Sequence, residues 1–311
     1  MLNFFKAIVR RLYALAPKLK LVPPPTQRPN GISVMFRVFN EKTWIEASLS
    51  SIKDFADEIL IGDTGSTDGT LEIIQTFIEN HPNLNIQLLD CRNLSFIEEN
   101  NFLLHKTRYR WVMRWDGDQI AHTEGKNSIL KLRKYLMALD SSQYFGIILS
   151  YPHLFLDPFH LHKSLIGREM WVHTYQKDIC YYGDKSRVFE LLWIPPYFQI
   201  RELTNYFVFH CNIKSKERSL DRSYWRQWDK LDHKAYPTLK DVALINIQKD
   251  FKTNDYSTAC NENLKRSFND VVKYSSELVG DYPKLLEPFL SNPPYRLIYD
   301  DNGKIIKRSD F

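Results

Sequence analysis

Apolar residues along the first half of the chain recur with two periods in turn. Ile32-Ser33-Val34-Met35-Phe36 is a short apolar run of the kind that buried strands carry, and between Glu41 and Ile52 the residues Trp44, Ile45, Leu49 and Ile52 fall at helical spacing. The cycle then repeats. Glu58-Ile59-Leu60-Ile61 reads as strand, Asp63 to Gly69 as a polar turn, and Leu71, Ile73, Ile74, Phe77 and Ile78 as one face of a helix. Asn85 to Leu89 supplies a third strand, Ile97 to Lys106 another helix, Trp111 to Trp115 a fourth strand, Ile129 to Leu139 a helix, and Gly146 to Ser150 a further apolar strand. Strands alternating with helices over short connections predict an α/β fold: a Rossmann-like, mainly parallel sheet with helices on both faces. Ligands of such sheets bind beyond the carboxyl ends of the strands.

The pattern has a beginning and an end. Residues 1–30 join a basic amphipathic segment to a tether rich in proline, with Pro23-Pro24-Pro25 and Pro29 favouring extended chain. Residues 31–213 hold the α/β domain, and residues 214–311 read as a mainly helical C-terminal extension that starts basic and rich in tryptophan. In the first segment Leu2, Phe4, Phe5, Ile8, Val9, Leu12 and Leu15 form an apolar face beside Lys6, Arg10, Arg11, Lys18 and Lys20. A helix of that kind lies on an anionic membrane or packs on its own domain or a partner, and residues 1–20 are the expected place of any peripheral membrane contact.

Composition narrows the class. The chain has 311 residues, 43% hydrophobic and 25% charged, which is ordinary for a globular protein. A net charge of +5 is mild, and nothing in it calls for a nucleic-acid partner. Aromatic residues make up 14%, which suits sugar stacking as well as core packing. Cys91, Cys180, Cys211 and Cys260 have no CxxC spacing, so neither a zinc site nor a disulfide framework is expected, and reduced thiols in the cytoplasm are the default. No run approaches the roughly 20 apolar residues needed to cross a bilayer.

Asp116-Gly117-Asp118 closes the strand Trp111 to Trp115. If the backbone stays extended there, two aspartates one residue apart point the same way and reach one divalent cation, while the glycine admits a bulky ligand. Asp63 ends another strand and opens the turn Asp63-Thr64-Gly65-Ser66-Thr67-Asp68-Gly69-Thr70, where an aspartate can accept hydrogen bonds from a base or ribose. Asp68 is assigned to capping the following helix and Asp63 to ligand binding.

These motifs resemble the inverting nucleotide-sugar glycosyltransferases of family 2, which have the GT-A fold. Ser33-Val34-Met35-Phe36-Arg37-Val38-Phe39-Asn40-Glu41 looks like that family's first strand, Asp63 to Thr70 like its second motif, and Asp116-Gly117-Asp118 like its metal-binding Asp-x-Asp. Asn101 falls where the family carries an asparagine in the helix before that strand. The resemblance covers residues 31 to 120 and thins afterwards. It implies that Phe39 and Glu41 border the base, that Asp63 binds the uridine-like moiety, and that Asp116 and Asp118 hold the ribose and a diphosphate bound through Mn2+ or Mg2+. His210, in Phe207-Val208-Phe209-His210, stands where many members place a histidine that completes the metal shell; a core histidine on an apolar strand is the other reading. Lys214, Lys216, Arg218 and Arg222 follow as a basic run, suited to phosphate, to an anionic acceptor, or to a solvated face.

Inversion needs a base for the acceptor hydroxyl, and in this family it is a carboxylate after the Asp-x-Asp strand. Asp184 and Glu190 are the candidates, with Glu169, Asp178 and Glu202 also in that region. The family's Glu-Asp pair is not recognisable here. Arg37 stands where a proline or threonine is common, which bears on nucleotide preference and adds it to the donor-binding set; Gln119 replaces a frequent acidic residue. A dehalogenase-type phosphatase also uses Asp-x-Asp, but Gln119-Ile120 does not fit its pattern. The expectation is therefore a metal-dependent inverting transferase. It would move sugar from a nucleotide diphosphate donor, a UDP-sugar first among them, to a glycan or glycolipid hydroxyl on the inner face of the membrane. Bacterial surface polysaccharide or lipopolysaccharide assembly is the setting typical of such relatives. Transfer to a protein side chain and a non-catalytic binding module are the alternatives.

Overall fold

The computed structural model describes residues 13, 15–23, 25, 28–183, 190–228, 230–232 and 234–310. Most of the expected amphipathic helix, and the base candidate Asp184, lie outside the described residues. The chain divides into two compact units. The first takes the chain to Pro152, then Ile166–His210 and Gly280–Leu286; the second takes His153–Leu165, Cys211–Val279 and Glu287–Phe311. The division thus falls after His210, where the sequence placed a boundary after residue 213.

The first unit is the α/β body. Strands β1 (Ile32–Val38), β2 (Glu58–Asp63), β3 (Ile86–Asp90) and β4 (Trp111–Asp116) alternate with helices α1 (Ile45–Ile52), α2 (Thr70–Asn80) and α3 (Phe96–Lys106). β5 (Gln119–Ala121), α4 (Ile129–Ala138), β6 (Phe145–Phe155), β7 (Asp157–Thr174), β8 (Cys180–Gly183), β9 (Glu190–Trp193), β10 (Gln199–Leu203) and β11 (Val208–Asn212) follow. The sheet order is β3-β2-β1-β4-β7-β6-β11-β5, with β10 beside β6. Its β3-β2-β1-β4 part is wholly parallel, while β4 with β7 and β5 with β11 are antiparallel.

Both faces of the parallel part are buried, which is why its strands read as apolar runs rather than alternating ones. Val34, Phe36, Ile59 and Ile61 pack with Ile45, Leu49 and Ile52 of α1, Phe77 of α2, and Leu132 and Leu136 of α4. On the alternate positions Met35, Leu60 and Val112 pack with Leu103 and Leu104 of α3. Helix α1 starts at Ile45, later than the periodicity suggested. Glu41 to Trp44 form a turn instead, with the Glu41 carbonyl accepting from the backbone N–H groups of Trp44 and Ile45 at 2.9 Å each.

In the second unit, helices α5 (Lys216–Ser223), α6 (Trp225–Trp228), α7 (Leu239–Phe251) and α8 (Tyr256–Arg266) enclose a small core around Leu220, Val242, Ile247 and Cys260. Strand β12 (Val271–Lys273) pairs with the start of β7; α9 (Ser276–Val279), α10 (Glu287–Ser291) and the hairpin β13 (Tyr295–Tyr299) and β14 (Ile305–Asp310) follow. The mainly helical extension therefore ends in strands. Asp157 anchors the hairpin: one carboxylate oxygen accepts from Leu297 N–H at 2.8 Å and the other pairs with His160 Nδ1 at 2.6 Å. Among the described residues no helix is long and apolar enough to cross a membrane.

Candidate active site

The carboxyl ends of β1, β2 and β4 lie side by side, because parallel pairing puts Val38 opposite Asp63 and Arg37 opposite Asp116. The loops leaving β1 and β2 are bonded to each other. Asn40, in the left-handed region at φ 53°, accepts from Thr67 N–H at 2.7 Å through its side chain and donates its backbone N–H to Ser66 Oγ at 2.8 Å. Glu41 N–H donates to Thr70 Oγ1 at 2.8 Å and Lys42 N–H to Asp68 at 3.1 Å. Asp63 folds its own turn: one oxygen accepts from Gly65 and Ser66 N–H at 2.8 and 2.9 Å, the other from Ser66 Oγ at 2.5 Å. Gly65 and Gly69, at φ 106° and 100°, take the backbone where a side chain would strain it. Asp68 accepts from Thr70 N–H at 3.0 Å, the helix-start role expected of it, although Gly69 occupies the N-cap position itself.

Beside these loops stands a cluster of buried charge. Arg37 donates through Nε to Asp116 at 2.9 Å, pairs with the same oxygen through Nη2, and donates through Nη1 to Glu190 at 3.0 Å. Arg114 donates to the same Glu190 oxygen at 2.7 Å and pairs with Glu169. Arg37 also stacks on Phe96, 4.2 Å from the ring centre. Burial pulls Arg37 down, but Asp116, Glu190 and Glu99 outweigh it and hold the guanidinium above its ordinary value. Burial raises Asp116, and Arg37 and Arg114 overcome that, leaving the carboxyl below the usual range. Glu99, from α3, is buried without an ion pair among the described residues. Burial first, and then Asp116, Asp63 and Glu190 against the opposing pull of Arg37, push it up to about 8.

The Asp-Gly-Asp motif departs from the extended backbone assumed from sequence. β4 ends at Asp116, and Gly117-Asp118 form a turn into β5. Gln119 spans that turn, accepting from Asp116 N–H at 3.1 Å and donating to Asp116 Oδ2 at 3.3 Å. Gly117 serves packing there, since a Cβ at that position would come within 3.0 Å of Glu41 Cγ. From below, Ser48 of α1 donates to Gln119 O at 2.6 Å and accepts from Trp115 Nε1 at 2.9 Å, which fixes the turn against the helix.

Asp118 and His210 come together, with Oδ2 and Nε2 3.3 Å apart, because β11 pairs with β5 and sets His210 opposite Gln119. Two adjacent donors on a small divalent ion with bonds of about 2.1 Å stand about 3 Å apart, so this carboxylate and imidazole fit as two ligands of such an ion. Among the described residues no group of three or more His, Cys, Asp or Glu side chains is placed to hold a metal. Asp116, expected in that set, accepts through one oxygen from Arg37 on the neighbouring strand.

The structure thus gathers Arg37, Asp116, Asp118, Glu190 and His210 at one sheet edge, with Asp63 at the end of β2 and Phe39 and Glu41 on the loop after β1. Glu169 accepts from Tyr151 at 2.9 Å and Trp171 at 3.2 Å as well as pairing with Arg114, and Glu202 is an exposed partner of Arg168. Arg114, Glu99 and Gln119 were not singled out by sequence as parts of this cluster. Arg114 carried a signal all the same: Val112, Arg114 and Asp116 share one face of a strand by period two.

A parallel α/β sheet with two bonded loops and an Asp-Gly-Asp turn along its carboxyl edge is the arrangement that the sequence resemblance implied. Residues 33–177, a little under half of the chain, match the family model described as glycosyl transferase family 2. Over 99 residues it is 30% identical to the SPbeta prophage-derived glycosyltransferase SunS of Bacillus subtilis, covering 32% of this chain and 22% of the relative. Over 107 residues it is 31% identical to the poly-beta-1,6-N-acetyl-D-glucosamine synthase of Staphylococcus epidermidis, covering 33% and 25%. These matches span about a quarter or less of the length of either relative. Among solved structures, the mannosyltransferase PcManGT from Pyrobaculum calidifontis, in complex with GDP-Man and Mn2+, has a TM-score of 0.40 at 15% identity over 86% of this chain and 84% of its own. TarS 1-349 of S. aureus has a TM-score of 0.42 at 13% identity over 79% and 73%.

Proposed function

We propose that the chain is an inverting, metal-dependent glycosyltransferase that moves a sugar from a nucleotide diphosphate donor to a hydroxyl of a glycan or glycolipid. The observation that carries this reading is the joint placement of the Asp118–His210 pair and the Arg37–Asp116 pair at the sheet edge of a family 2 domain. As the glycosidic bond breaks, negative charge grows on the departing diphosphate, and fixed positive charge nearby lowers that barrier. Arg37 and Arg114 supply such charge, aimed by Asp116, Glu169 and Glu190. Asp118 and His210 would hold Mn2+ or Mg2+, which when bound neutralises the diphosphate oxygens. Asp63 and its loop, with Phe39 and Glu41, form the surface for the base and ribose, with UDP the first nucleotide to test.

Glu190 is the described carboxylate best disposed to take the acceptor proton. Its Oε1 accepts from both arginines, while Oε2 bonds to no described residue. Asp184 is the other candidate. The name of the Staphylococcus epidermidis relative supports a polysaccharide setting. Contact of residues 1–20 with the inner face of the membrane belongs to the same reading.

Release of nucleoside diphosphate from a panel of sugar nucleotides, with Mn2+ or Mg2+ and with Asp118→Ala as control, tests the proposal. Turnover with one donor, lost in the variant and on chelation, is the expected result. Equal release by the variant overturns metal-assisted transfer.

A further inference from the structure

The second unit contains a cavity of about 290 Å3 that the donor site does not use. Its wall is cationic: Lys214, Arg222, Arg226 and Arg308 line it, and no carboxylate does among the described residues. Lys214 and Arg308 are buried, at 7% and 8% exposure. Arg308 is held in place by Asp310, which accepts from its Nε at 2.9 Å, and by the carbonyls of Lys214 and Leu156, which accept from Nη1 at 2.9 and 3.3 Å. Asp310 pairs with the Arg308 guanidinium, and Arg222 makes no ion pair among the described residues. Helix α5 turns a single face into the space, because Ser219, Arg222 and Ser223 follow at the i, i+3, i+4 spacing.

Cationic side chains gathered around one hollow attract an anion into it. Arginine forks with a lysine and hydroxyl donors match the oxygens of a phosphate group, whose double charge answers several cations better than a single carboxylate does. The volume sits at the small end of the range for ligand pockets and admits a phosphate with the first part of whatever carries it. We infer that this cavity is a binding site for a phosphomonoester group, with Arg222 and Arg226 as its outer clamp and Lys214 and Arg308 as its floor. It stands on the geometry of the second unit alone and does not rest on the glycosyltransferase reading.

Titration calorimetry of the full chain with inorganic phosphate and with glucose 1-phosphate tests a soluble source. Sedimentation with phosphatidic acid vesicles, against phosphatidylcholine vesicles, tests a lipid headgroup. The comparison protein is Arg222→Ala/Arg226→Ala, whose substitutions remove side chains outside the buried floor. Saturable binding in either arm that weakens at least about tenfold in the variant supports the site, since a hydrogen bond to a charged group is worth roughly that factor. The arm that responds identifies the source. A circular-dichroism spectrum and a thermal midpoint that match the parent show that the variant is folded, and Arg222→Lys/Arg226→Lys should recover part of the affinity. No phosphate binding in either arm, or equal binding by the variant, overturns the inference.

Discussion

Replacing Arg37 with leucine keeps apolar bulk against Phe96 and removes the positive charge that Asp116 faces. Breaking a buried ion pair by deleting one partner costs about 3–5 kcal/mol. Asp116 keeps 27% of its side chain exposed and Glu190 retains Arg114 at 2.7 Å, so the expected loss lies at the low end, about 3 kcal/mol at pH 7. The pH dependence has a definite sign. In the parent the depressed Asp116 stabilises the fold above the ordinary carboxylate range, and that stability is lost as pH falls through the folded value. In Arg37→Leu the Asp116 carboxyl moves upward, because burial is then opposed by Arg114 and His210 without Arg37, and it takes up its proton at a higher pH than in the parent. The stability gap between the two proteins must therefore narrow as pH falls from 7 towards 5. Urea denaturation at three pH values in that range measures it, with Arg37→Lys expected to restore part of the loss. A gap below about 1 kcal/mol at pH 7, or one that stays constant with pH, refutes Arg37 as the counter-ion of Asp116.

Four other substitutions probe different parts of the first unit. Asp118→Asn and His210→Ala should each reduce turnover by about a hundredfold or more and abolish the enhancement of UDP binding by Mn2+, read by calorimetry; enhancement that survives both changes removes the proposed ligand pair. Glu99→Gln should flatten the dependence of stability on pH. The stability linked to Glu99 is fully present below its ordinary value of 4.5 and is lost as pH rises through about 8, an effect of at most roughly 5 kcal/mol. Parallel pH profiles for parent and variant would count against a buried neutral Glu99. Asn101→Ala should lower stability by about 1–3 kcal/mol, because Asn101 holds the backbone of Tyr181 with one bond in each direction, at 2.9 and 2.8 Å. A thermal midpoint unchanged in the variant would contradict that estimate.

The parallel half of the sheet was legible in the chain because each strand is buried on both faces and each covering helix shows one apolar stripe. β1, β2 and β4 accordingly begin at the residues where the apolar runs begin. The motif loops were legible because glycine and aspartate at a strand end have few other uses. What the pattern does not carry is register. The contact of Arg37 with Asp116 depends on how β1 pairs with β4, and the meeting of Asp118 with His210 on how β5 pairs with β11; both are long-range pairings that local periodicity does not encode. For the same reason two aspartates that look equivalent in the sequence part company in the fold. One faces a guanidinium on the neighbouring strand, and the other turns towards a histidine brought from almost a hundred residues away.

The turn at Asp63 reaches the sheet edge with its shape already set by its own carboxylate. Ordering a loose loop of that kind on binding costs about 1–2 kcal/mol for each residue fixed. A template rigid beforehand avoids that entropy, so on the proposed reading discrimination between bases there becomes a question of steric match, with little scope for the protein to adapt to a nucleotide of another size.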